Sequence, residues 1–255
     1  FGRLDRRLYS DFGDFVVLAG RPSAGKTAMA LQMATHMGRQ AKVGFYSLET
    51  SPAKLANRIV SNRAFIDFGH INRREMTQEE WERIVRLKQE IASVQDVLSC
   101  ALQRRHKIVF IDYLQQLKGR GRDRFEQVTR ISLDLHAMAQ AHGIMVVALS
   151  QFSRVAAARD GEPTLTDLRE SGQIEQDADA VLALYINEDD SAPPGERVLQ
   201  VLKNKEGTLG KFYLNFDGST QGFAEYMDGE RAVIVQTGRM EKKHENQKSN
   251  PKAAI

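Results

Sequence analysis

The sequence predicts an α/β fold with a mostly parallel central sheet flanked by helices and a C-terminal β-hairpin. Three observations carry that expectation. The apolar run Phe15-Val16-Val17-Leu18-Ala19 breaks into Gly20-Arg21-Pro22-Ser23-Ala24-Gly25-Lys26-Thr27 and passes directly into helix-forming sequence over 28–34, the strand, loop and helix order of a phosphate-binding loop. Of two further apolar runs, 107–112 ends in Asp, and 144–151 is continuously apolar up to its polar final pair, as a strand covered on both faces is. Helical periodicity separates these runs, which suits strands joined by crossovers.

In the first loop, Gly20 and Gly25 let the backbone bend around phosphates without a Cβ clash. The loop amides and the following helix N-terminus then converge on one anion site. Lys26 can reach the β- and γ-phosphates as a point charge, and the Thr27 hydroxyl is placed to ligate Mg²⁺. Nucleotide contacts are therefore expected over Gly20, Arg21, Pro22, Ser23, Ala24, Gly25, Lys26, Thr27 and Ala28.

Residues 42–49 read as a second strand that completes a βαβ unit and ends in the carboxylate of Glu49. Ser51 and Pro52 open a helix that runs to about 59–60. Residues 78–87 read as an amphipathic helix whose buried side carries Trp81, Ile84, Val85 and Leu87-Lys88, with Trp81 expected as core and not as a base-stacking platform. A further helix covers 96–106, and the apolar strand 107–112 ends in Asp112. A carboxylate there can hold a Mg²⁺ shell through Thr27 or water.

Residues 119–124 form a basic, Gly-interrupted loop, suited either to phosphate contacts or to plain solvent exposure. An amphipathic helix over 128–142 leads into the strand 144–151, which ends in Ser150-Gln151. Ligands of such folds bind at the carboxyl ends of the strands. The phosphate loop, Glu49, Asp112 and Gln151 are accordingly expected to share one site. Residues 198–203 and 212–216 read as a hairpin-like pair, and the polar, non-periodic stretch 241–251 reads as disordered. The expected division is a domain over 1–236 and a tail over 237–255.

Composition narrows the function classes. Thirty-six basic and 33 acidic residues leave a net charge of +3 over 255 residues, so nucleic-acid binding must come from a local stripe and not from overall charge. The single cysteine, Cys100, excludes an internal disulfide, spells no metal cluster and is read as packing in a reducing compartment. No run approaches the ~20 apolar residues of a membrane span, so a soluble, cytoplasmic protein without a membrane partner is expected. The chain opens on Phe1, not Met, and is expected to be one domain of a longer polypeptide.

Five ordered motifs carry a family resemblance: Gly20 to Thr27, Ser47-Leu48-Glu49, Ile111-Asp112-Tyr113-Leu114-Gln115, Ser150-Gln151-Phe152-Ser153-Arg154, and Asp167 to Asp179. Together they resemble the C-terminal motor domain of DnaB-type replicative helicases, within the RecA-like P-loop NTPases, over roughly residues 1–226. The resemblance implies an ATP- and Mg²⁺-dependent ring, usually hexameric, that encircles single-stranded DNA and hydrolyses nucleotide at subunit boundaries. It implies Lys26 and Thr27 on phosphate and Mg²⁺, Glu49 as general base, Asp112 in support of the metal, and Gln151 as γ-phosphate sensor. Arg169, Glu170 and Gly172 match the loop that faces DNA, and a loop reading a nucleic-acid backbone needs just such a cation, exposed amides and a φ-permissive residue.

In the family, the equivalent of Lys203 and a nearby Arg project into the next subunit's nucleotide; here Lys205 takes the Arg place. A second departure lies between Ile91 and Ile111, where the family usually has a strand and an additional helix and this chain has room for the helix alone. The collar domain and linker helix that help to close family rings are absent from this sequence, so it is expected to form a weak oligomer or a monomer. A helicase loader and a primase are the further partners implied. Two rival classes share the phosphate loop. A RecA-type recombinase has no need of Asp167-Leu168-Arg169-Glu170-Ser171-Gly172, and a small-molecule kinase needs an Arg-rich lid that this sequence does not display.

Overall fold

The computed structural model describes residues 2–51, 54–59, 93–153, 161–168, 172–189 and 191–226. The helix expected over 78–87 and the expected tail lie outside them, as do Arg169 and Glu170.

Eight strands form one sheet: β1 (Phe15–Gly20), β2 (Val43–Ser47), β3 (Ile108–Asp112), β4 (Met145–Gln151), β5 (Ala180–Ile186), β6 (Glu196–Asn204), β7 (Gly210–Asp217) and β8 (Gly222–Glu225). Their spatial order is β2-β3-β4-β1-β5-β6-β7-β8. The pairs from β2 through to β5 are parallel, and the pairs from β5 to β8 are antiparallel. The expected α/β architecture with a terminal hairpin is thus present. The expected βαβ unit is present as well, but β3 and β4 lie between β1 and β2.

Among the described residues the α-helices are α1 (Gly2–Asp5), α2 (Lys26–Met37), α3 (Val94–Arg104), α4 (Arg124–His142) and α5 (Gly172–Asp177); residues 54–59 are also helical. Continuous apolarity has the expected consequence. Every residue of β1 and β3 is buried, and alternate side chains enter two separate cores. Phe15, Val17, Val109, Ile111 and Val146 pack with α3 and α4 through Val97, Ala101, Ile131 and Leu135. Val16, Leu18, Phe110, Val147 and Leu149 pack on the other face with Met29 and Ala30 of α2. The hairpin strand β7 is different: Phe212 and Leu214 are buried while Lys211, Tyr213 and Asn215 are exposed, the period-2 pattern of a strand with one wet face.

Caps correct several expected boundaries. Helix α4 begins at Arg124 and not at Val128, because Asp123 caps it by accepting from the Glu126 N–H at 2.8 Å. The last residue of the basic loop therefore belongs to the helix. Helix α3 begins two residues before Asp96, in a capping box where Asp96 accepts from the Ser93 N–H at 2.8 Å. Strand β2 stops at Ser47, and Glu49 lies just beyond it. The Ser47 hydroxyl turns the chain there, donating to the Thr50 carbonyl at 2.8 Å and accepting from the Thr50 N–H at 3.0 Å.

Strand β5 is the largest addition to the expected fold. Its residues, Ala-Val-Leu-Ala-Leu-Tyr-Ile, show the same continuous apolarity as the other parallel strands, and it pairs directly with β1.

Candidate active site

Register brings the strand ends level. Gly20 pairs with Gln151 across β1 and β4, and Ser47 with Asp112 across β2 and β3. The backbone N–H of Leu48 also donates to the Asp112 carbonyl at 2.8 Å, which holds the Glu49 segment against the end of β3. Above these ends lies a cleft of about 410 Å³, lined by Lys26, Thr27, Glu49, Asp112 and Gln151 among others. A second cavity, about 530 Å³, lies at the other end of α2 against β2, and among the described residues no carboxylate lines it. Of the two, the first gathers groups with chemistry to perform.

The loop between β1 and α2 is shaped for an anion. Gly25 sits at φ +98° as the N-cap of α2 with no side-chain cap, so the first-turn amides of a 12-residue helix remain open toward the loop. Gly20 is required for another reason: a Cβ there would lie 2.4 Å from the Leu184 carbonyl oxygen of β5. Pro22, Ser23, Gly25 and Ala28 line the cleft, whereas the Ala24 side chain is fully buried in the core. Arg21 turns its guanidinium elsewhere, to Glu188 at 3.0 Å and the Gly161 carbonyl at 2.8 Å.

The Lys26 ammonium donates to the carbonyls of Gly20 and Arg21, both at 2.9 Å. Burial lowers its pKa to about 8, against the pull of the Asp112 and Glu49 carboxylates. Asp112 is 3% exposed. Burial raises its pKa, and the hydrogen bond from Thr27 Oγ1 to Asp112 Oδ2, 2.9 Å long, works in the opposite direction. Thr27 and Asp112 therefore present two hard oxygen donors side by side.

Gln151 is supported from behind. Gln115, on the turn after β3, donates from Nε2 to Ser150 Oγ at 2.8 Å and accepts from the Gln151 N–H at 3.4 Å. Arg124 in turn donates to the Gln115 carbonyl. Near the end of the last motif, Asp177 serves packing: it accepts from buried Ser132 at 2.8 Å and from Gln173 at 2.7 Å.

Lys203 and Lys205 are not brought to this cleft. Lys203 Nζ donates to the carbonyls of Glu175 at 2.5 Å and Gln176 at 3.0 Å, and burial, followed by the nearby Lys205 charge, lowers its pKa. Lys205 pairs with Asp179. Gly172 is the first residue of α5, and a Cβ there would meet nothing within 4 Å.

Among the described residues, five lining residues go beyond the sequence expectation: Thr50, Arg58, Tyr113, Phe216 and Gln221. Thr50 and Tyr113 were legible as the residues after Glu49 and Asp112. Phe216 and Gln221 come from the far end of the chain, on and beside the β7–β8 hairpin, and no local signal in the sequence places them there.

Residues 1–225 match the family described as the DnaB-like helicase C terminal domain. The chain is 34% identical over 232 residues to a "Probable plasmid replicative DNA helicase" of Chlamydia trachomatis serovar L2, covering 83% of this chain and 51% of the relative. It is 35% identical over 217 residues to the "Replicative DNA helicase DnaB" of Rickettsia typhi, covering 72% and 44%. The chain thus spans about half the length of the curated relatives it matches. Among solved structures, one described as an ATPase domain superposes with a TM-score of 0.79 at 32% identity, covering 89% of this chain and 90% of that one. A DnaB-like replicative helicase, described with its interactions with primase, gives the same TM-score and identity over 89% of this chain and 61% of that one. With the match running through every element from α1 to β8, the chain belongs to the DnaB-like helicase C-terminal domain family.

Proposed function

We propose that the chain is the motor domain of a replicative DNA helicase, which binds ATP in the cleft above the strand ends and hydrolyses it to drive translocation on single-stranded DNA. The observation that carries this reading is the 2.9 Å hydrogen bond between Thr27 and Asp112 in a cleft that also gathers Lys26, Glu49 and Gln151. Lys26 and the uncapped amides of α2 bind the phosphates. Glu49 accepts the proton of an attacking water, and Gln151, braced by Gln115, donates to the γ-phosphate.

Among the described residues no three metal-ligating side chains converge. The Thr27 hydroxyl and the Asp112 carboxylate fit Mg²⁺, which favours one or two protein oxygens beside substrate phosphates and water. When bound, Mg²⁺ would neutralise charge on the transferring phosphoryl group. Phe216 lines the same cleft, and base stacking on an aromatic ring tolerates any nucleobase.

In this reading Arg169, Glu170 and Gly172 contact the DNA backbone, and Lys203 with Lys205 reaches the nucleotide of the next subunit in a ring, hexameric in the full protein. A primase partner is supported by likeness to the helicase described with one; a loader follows from the helicase reading alone. The test is whether single-stranded DNA accelerates ATP turnover and whether a forked duplex is then separated. Turnover indifferent to DNA, with no strand separation, sinks the helicase reading; strand exchange without unwinding would point to a recombinase instead.

A further inference from the structure

The β7–β8 hairpin is fastened to the phosphate-loop helix by one side chain. Gln32 of α2 donates from Nε2 to the Phe223 carbonyl at 2.8 Å, and its Oε1 accepts the Phe223 N–H at 2.9 Å. The N–H and C=O of one strand residue point to the same edge. In β8, the last strand of the sheet among the described residues, those of Phe223 point away from β7, toward Gln32. The Gln32 carboxamide closes that edge across 191 residues of sequence.

The clasp has a geometric consequence for the cleft. The Phe223 ring lies over the phosphate loop, where a Cβ on Gly25 would come within 2.8 Å of its Cζ. Phe216 is the register partner of Phe223 and packs against it with centroids 4.6 Å apart. The Arg197 guanidinium sits 5.2 Å from the Phe216 ring centre. Held in this way, Phe216 reaches the cleft lining from a strand whose preceding inward residues, Phe212 and Leu214, are buried in the core.

We propose that Gln32 is a positioning residue for recognition of the nucleotide base. By clasping Phe223 it holds Phe216 at the cleft as a stacking face, so the affinity it supports belongs to the nucleoside and not to the phosphates. The inference rests on the nucleotide-binding reading above and is separable from it by experiment.

The separation uses two probes, Mg-ATP and Mg-tripolyphosphate, titrated calorimetrically against the whole chain. Gln32→Leu and Phe216→Leu are each expected to weaken ATP binding about ten-fold, the worth of one stacked base. Tripolyphosphate affinity should stay within roughly two-fold for both. The double variant should lose little more than either single one, because the two residues act through one contact. Gln32→Glu keeps the acceptor for the Phe223 N–H but sets a carboxylate oxygen against its carbonyl, so it should show the same base-selective loss. It replaces the Leu variant should that fail to fold. Equal weakening of both probes by the Gln32 variants would make Gln32 a support of the phosphate loop and overturn the proposal, as would unchanged ATP affinity. Wild-type protein that binds tripolyphosphate as tightly as ATP also overturns it while leaving the phosphate site intact. Wild-type protein that binds neither probe removes the nucleotide reading itself.

Discussion

Lys205 and Asp179 form an ion pair, Nζ to Oδ1 at 2.6 Å, and the other oxygen of Asp179 accepts the Phe15 N–H at 2.8 Å. A cation proposed to serve the neighbouring subunit is therefore tied, in this chain, to the first residue of the strand that leads into the phosphate loop. Lys203 beside it is likewise engaged by the carbonyls of Glu175 and Gln176. To act in trans, both must exchange these partners for the phosphates of the adjacent site.

That requirement gives the first prediction. Lys203→Ala and Lys26→Ala proteins should each be nearly inactive, and mixing them should restore part of the ATP turnover wherever subunits exchange, since some interfaces then pair an intact Lys203 with an intact Lys26. Turnover of the unmodified chain should rise more steeply than linearly with concentration. An Arg finger can be worth ~10³–10⁵ in rate; Lys205 lacks the planar fork and should contribute less. Concentration-independent turnover by protein that sediments as a monomer, with no rescue on mixing, would mean that one chain holds the complete site.

Glu49→Gln should preserve nucleotide binding and lose turnover by ~10²–10⁴-fold, the usual contribution of a general base. The amide keeps the shape and removes the proton acceptor. A steady-state assay beside a binding titration checks this, and turnover within a few-fold of the unmodified protein would move the role to another carboxylate.

Ser132→Ala should lower stability by about 1–3 kcal/mol, because it strips a partner from the buried Asp177 carboxylate that joins α5 to α4. Denaturant unfolding measures the change. A neutral result would show that Gln173 alone satisfies Asp177.

His106 makes stability depend on pH. Burial first, then the Arg104 and Lys42 charges, hold the ring's pKa below its ordinary value, with the Tyr46 hydroxyl 3.0 Å from Nδ1. The unfolded ring takes up a proton near about pH 6.5 and the folded ring only below that. Between those two values the unfolded state binds more protons, so stability falls as pH drops through this window. His106→Asn should flatten the decline in Tm between about pH 7.5 and 5.5 relative to the unmodified protein. Identical slopes would show that His106 does not contribute.

Much of the site was legible because its signals are local. A strand covered on both faces must be continuously apolar, so the runs ending at Asp112 and Gln151 were visible, and loop chemistry identified Lys26 and Thr27. Strand β5 carries the same signal directly after the acidic motif, whose charges mask it in a local reading. The motif residues Asp177 and Asp179 have structural partners in this chain, Ser132 and Gln173 for one, Phe15 and Lys205 for the other. Nothing in their spacing announces that, because hydrogen-bond partners are chosen in space.

The sequence by itself determined most of the elements and the strand ends that supply chemistry, since apolar periodicity and glycine placement act over a few residues. Only the tertiary structure decided which side chains complete the cleft. Register across β1, β4, β3 and β2 set Gln151 and Asp112 level with the loop. The Gln32 clasp brought Phe216 from the far end of the chain. Contacts of that kind depend on where the sheet ends and which helix lies beside it, and local propensity carries no record of either.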